Sequence, residues 1–120
     1  ADVNISNGGL TVQGNTTVES SNRVHFSSSE LITASDHVTL TTSSSQVVII
    51  NPNGANRNVI MPTEASSTGL LHIIAHAAGA NTLTVRDSGD TETRGTIEVG
   101  EFAFCYCSGT SWSVGVLKNT

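Results

Sequence analysis

Two cysteines stand two residues apart in the stretch GEFAFCYCSGTSWSVG, and that spacing could serve a metal or a redox reaction. On a strand, Cys105 and Cys107 share one face with their Cα atoms about 6.6 Å apart. Their Cβ atoms then run parallel, which is poor geometry for a disulfide. A zinc site needs four ligands, and the sequence holds no second C-x-C or C-x2-C. The favoured reading is a pair of buried packing residues, since a free cysteine behaves as a small hydrophobe. On that reading Phe102, Phe104 and Tyr106 fill the other face of the strand. The turn Ser108-Gly109-Thr110 brings Trp112 back, and all four aromatic residues are expected to serve the core.

The histidines are the next candidates. On a helix, His72 and His76 of LLHIIAHA would share a face and could hold one metal ion. The stretch is rich in Ile and Leu and reads as a strand, where four residues span about 13 Å. Two ligands of one metal lie within about 4 Å of each other, so one strand cannot supply both. Partly buried, hydrogen-bonded histidines, candidates for a trimer interface, fit better. His25 and His37 form no pattern. SGDTETRG misses the calcium-loop spacing and reads as a charge-balanced hairpin loop. There is no G-x-S-x-G, P-loop, G-x-G-x-x-G or H-E-x-x-H motif. Neither an enzyme nor a cofactor is expected. Asn4-Ile5-Ser6 and Asn15-Thr16-Thr17 match the glycosylation sequon, which chance explains in a chain this rich in Asn, Ser and Thr.

The elements that carry these residues are short. Among 120 residues there are 16 Ser, 16 Thr and 11 Gly, and aromatics make up only 4%. Helix formers are sparse, and strand-like runs recur every eight to twelve residues between turn clusters. HVTLTT and QVVIIN read as two strands joined by a Ser43–Ser45 hairpin. VIMP ends at Pro62, and LLHIIAHA, NTLTVRD, TIEV, FAFCYC and SWSVGVL follow. Gln46–Ile50 and Phe102–Cys107 are apolar on both faces and belong in central positions. The fold class expected is all-β, a small antiparallel β-sandwich of jelly-roll type.

Residues 1–29 differ from the rest, residues 30–120. Their apolar residues are single and widely spaced, which suits an extended β segment that is buried against copies of itself. The net charge is −5, and the five basic residues are scattered. No basic patch serves nucleic acid, and no apolar run spans a membrane. Residues 1–20 lack the charged and apolar regions of a signal peptide. A small domain with so lean a core gains stability by oligomerising.

Two stretches carry a resemblance. GLTVQGNTTVES resembles the Gly-punctuated shaft repeats of trimeric bacteriophage fibres and spikes. VIMPTEASSTGLLHIIAHAAGANTLTVRDSGDTETRGTIEVGEFAFCYCSGTSWSV resembles a β module of tailed-phage fibres and capsid decoration proteins. The shared pattern is Val59–Pro62, Ser66–Gly69, Leu70–Ala75, Asn81–Val85, Gly95–Ile97 and Phe102–Trp112. This chain departs from it at Ser108, where the family carries an acidic residue before the turn glycine.

The resemblance implies a homotrimeric virion protein made in the bacterial host cytoplasm. Read as a complete chain, 120 residues suit a capsid decoration (cement) protein on the outer head surface better than a fibre. Its partners would be itself, the major capsid protein, and a second minor decoration or fibre protein. Capsid contact is expected at Asp2, Val3, Asn4, Ile5, Leu10 and Val12. The alternative is a receptor-binding or tail-fibre module that contacts host glycans.

Overall fold

A computed structural model describes Gln13 and residues 29–118. The six residues expected to contact a capsid, Asp2, Val3, Asn4, Ile5, Leu10 and Val12, lie outside the described residues.

Among the described residues nine strands form in order: β1 (Ser29–Thr33), β2 (Val38–Thr39), β3 (Val47–Asn51), β4 (Arg57–Ile60), β5 (Leu71–His76), β6 (Leu83–Arg86), β7 (Thr93–Ile97), β8 (Phe102–Cys107) and β9 (Trp112–Leu117). β-Branched residues supply much of these runs, as their restricted χ1 angles favour extended backbone. The only helical pieces among the described residues are two 3-10 turns, Glu64–Ser66 and Ser88–Asp90.

The strands make two sheets with the orders β1-β3-β5-β8-β9 and β2-β4-β6-β7. The chain is thus mostly β and layered like a sandwich. Its pairing differs from the antiparallel jelly roll expected. From β1 to β6 the chain crosses to the other sheet at every step, so each strand lies parallel on the strand two before it. Only the last third reverses, with antiparallel pairs β6–β7, β5–β8 and β8–β9. A jelly roll consists of antiparallel Greek keys, and the parallel ladders exclude it.

Ser43–Ser45 therefore joins two sheets and closes no hairpin. Val38 pairs with Val59, while Val47 pairs with Ser29 and Ile73. In α/β folds a helix usually links parallel neighbours; here a strand of the opposite sheet makes that link.

The core lies between the sheets. The five-stranded sheet contributes Val48, Ile50, Ile74, Ala103 and Cys105, and the other contributes Val59, Leu83, Val85 and Ile97, all fully buried. Each buried Val, Leu or Ile stabilises the fold by about 1.5–3 kcal/mol relative to exposure. Trp112 closes one end of this layer, 1% exposed, and its indole N–H donates to the Pro62 carbonyl at 2.9 Å. The turn into β9 needs a glycine at position 109. Gly109 has φ +101°, and a Cβ there would stand 2.6 Å from Thr68 Oγ1.

Candidate interaction face

The cysteines face inward on β8. Both are free thiols and fully buried, and burial pushes the Cys105 thiol up to about 12. Cys107 Sγ lies 3.5 Å from the Glu64 carbonyl oxygen, which it meets as a weak donor. Among the described residues no group of three or more His, Cys, Asp or Glu is placed to hold a metal ion.

His72 and His76 also lie on the inner face of β5, 2% and 6% exposed. His72 stands beside Cys105 in the ladder and tilts against Trp112, with ring centroids 6.0 Å apart. Among the described residues neither of its ring nitrogens has a hydrogen-bond partner. Burial holds its pKa below the usual histidine value, against a weaker opposing effect from the Ser45 and Gln46 backbone. His76 Nε2 bonds the Asn81 carbonyl oxygen, and its Nδ1 is unpartnered. Both rings point into their own chain, so the expectation that they form a trimer interface gives way. The period-two alternation that keeps Ile73 outside puts its neighbours His72 and Ile74 inside.

The charged loop after β6 pairs its charges within itself, although Asp87 Oδ1 is buried without a hydrogen-bond partner among the described residues. Arg86 pairs with Asp90 at 2.7 Å, and Arg94 pairs with Asp87 at 2.6 Å and Glu92 at 3.0 Å. Ser88 donates its hydroxyl to Glu64 at 2.7 Å, which holds the Glu64 carboxyl below its ordinary range. The loop is a strut between β6 and β7. Beside it opens a shallow cleft of about 310 Å³ whose rim carries Thr39, Thr41, Ser66 and Ser88 over Leu40, Ile60 and Met61.

The unusual surface is the outer face of the five-stranded sheet. Strand pairing lays out its cross-strand rows. One runs Leu31–Ile49–Ala75–Phe102–Leu117, the next Val47–Ile73–Phe104–Gly115, and a third Leu71–Tyr106–Ser113. No charged side chain stands in these rows. Leu31 is 69% exposed, Tyr106 50%, Leu117 44%, Phe104 40% and Phe102 37%. The outer rows of the other sheet are polar by comparison: Thr39–Ile60–Arg86–Thr93 and Asn58–Thr84–Thr96.

This corrects the expectation that Phe102, Phe104 and Tyr106 serve the core. Only Trp112 among the four does. The inner face of β8 carries the small residues Ala103, Cys105 and Cys107 beside Ile74, His72 and Trp112 of the neighbouring strands, and the large rings are left outside. The signal was present in FAFCYC, whose alternation is large–small throughout. A two-layer domain has one core, so a strand apolar on both faces must leave one of them outside it. With about 200 Å² per aromatic side chain and exposures of 37–50%, the three rings leave roughly 250 Å² in water, and Leu31 and Leu117 extend this to the few hundred Å² of the largest patch on a typical monomer.

Fold and face together define a mostly-β, two-layer module with an uncharged, partly apolar outer face. Comparison of the chain with family models, with curated proteins and with solved structures finds no match.

Proposed function

We propose that the chain is a non-enzymatic structural protein of a tailed-phage virion. In this reading it is a homotrimeric decoration protein that binds the outer head surface at three-fold or quasi-three-fold sites and stabilises the shell. The observation that carries the reading is the uncharged aromatic face of the five-stranded sheet. A chain with so few aromatic residues places three of them in water, which is costly unless another protein covers them. The resemblance of Val59–Trp112 to phage fibre and decoration modules supplies the virion setting. Many weak contacts repeated by symmetry would strengthen a shell through avidity.

The head-binding grip is assigned to Ala1–Asn22, which includes Asp2, Val3, Asn4, Ile5, Leu10 and Val12. Its single, spaced apolar residues suit ordering on a partner. Sedimentation with emptied heads of the encoding phage tests this reading. Full-length protein should pellet with heads, and protein lacking residues 1–14 should stay in the supernatant while keeping its β spectrum. Equal pelleting of the two removes the assignment, and no pelleting of either removes the decoration role.

A second reading, a receptor-binding or fibre module that contacts host glycans, gains from two observations. Phe102, Phe104 and Tyr106 are exposed, and the cleft beside β2 is rimmed with hydroxyls. Binding to host cells in place of heads would select it.

A further inference from the structure

We infer that copies of this chain meet through the outer face of the five-stranded sheet, with Phe104 and the notch at Gly115 at the centre of the contact. The inference rests on the reading of the chain as a self-associating structural protein and gives that association its site.

Three observations point to a second copy as the occupant. The first is the glycine itself. Gly115 lies in mid-strand on β9, directly opposite Phe104. Its φ is not positive, and a Cβ built on it would meet nothing within 4 Å. Neither backbone conformation nor crowding by the described residues calls for a glycine there. A glycine weakens a strand interior and often marks the close approach of another backbone or ligand. The missing side chain leaves a recess beside an exposed ring, a knob-and-hole pair on one surface.

The second is charge. Every copy carries a net charge of −5, so copies repel least through a surface without charged side chains. This face is such a surface.

The third is extent and timing. A few hundred Å² of exposed apolar area on each copy supplies the centre of a contact whose standard size is ~800 Å² per partner. A partner present only on a finished head would leave this face in water from synthesis until docking. A copy of the same chain is present from the start.

The test uses the full chain and its mass in solution. Wild type should run as an oligomer of the 12.4 kDa chain at tens of micromolar, by light scattering on a sizing column. Gly115→Leu fills the recess, and Phe104→Glu sets a charge in the centre of the face. Each should weaken association about 30-fold or more, as loss of a central aromatic anchor does. Thr96→Glu, on the outer face of the other sheet, should leave the mass unchanged. Circular dichroism should show the wild-type β spectrum for all three.

A monomeric wild type overturns the inference. So does a wild-type mass for folded Gly115→Leu. An oligomer dissolved by Gly115→Leu that ignores heads supports the inference while removing the decoration reading, so the two failures are distinct.

Discussion

Phe104 and Gly115 face each other across β8 and β9, yet space remains open above the glycine. The pair behaves as a surface feature and no part of the core. Gly115→Leu should therefore leave the isolated fold's stability within about 0.5 kcal/mol of wild type, or raise it slightly, since a glycine in a strand interior is unfavourable. Gly109→Ala is the contrast. Its φ of +101° and the 2.6 Å approach to Thr68 Oγ1 should cost about 1–3 kcal/mol. Thermal melts of the two variants, each compared with a wild type at the same oligomeric state, check both.

Trp112 seals the core and donates to Pro62. Trp112→Phe leaves that buried carbonyl unpartnered and a small void, and should cost about 1–3 kcal/mol. Trp112→Ala should cost about 3–5 kcal/mol. Urea midpoints at constant slope read these values. A neutral Trp112→Phe would show that the indole hydrogen bond adds little.

The buried thiols should be silent. With Cys105 pushed up to about 12, almost no thiolate exists near neutrality, and the thiolate is the reacting form. A thiol reagent should label neither Cys105 nor Cys107 in native protein and both in denaturant. Fast native labelling of two thiols would contradict the packing of β8.

Acid should weaken the fold through His72. Its folded pKa lies below the ordinary value, so the unfolded chain takes up a proton that the folded core resists. The stability from neutral His72 is complete above the unfolded pKa of about 6.5 and declines as pH falls below it. Melting temperature should drop between pH 7 and pH 5, and His72→Leu should flatten much of that drop. The carboxyls held low, Glu64 and Asp90, lose their contributions only under more acid conditions. An unchanged pH profile in His72→Leu would exclude the histidine as the cause.

The sequence reveals strands better than their partners. Alternation in VVII and FAFCYC sets which residues share a face, because side-chain period on a strand is two. It says nothing of which strand lies alongside. HVTLTT and QVVIIN are neighbours in sequence, yet Val38 and Val47 lie in different sheets. Composition also hid the destination of the aromatics. Phe and Tyr are common core residues, and only the small inner trio Ala103, Cys105 and Cys107 betrayed that the rings face out. For the histidines, spacing sufficed to reject a shared metal on one strand, but not to choose inner or outer face. The turn at Gly109 was legible, since Ser108-Gly109-Thr110 offers a residue suited to positive φ.

The proposed function is binding to copies of the chain and to a phage head. The stoichiometry of full-length protein pelleted with emptied heads, measured to saturation, tests it most directly. A trimeric decoration protein should reach a plateau at a fixed ratio to the major capsid protein, with chains bound in threes. Binding that never saturates, or protein that stays wholly in the supernatant, would contradict it.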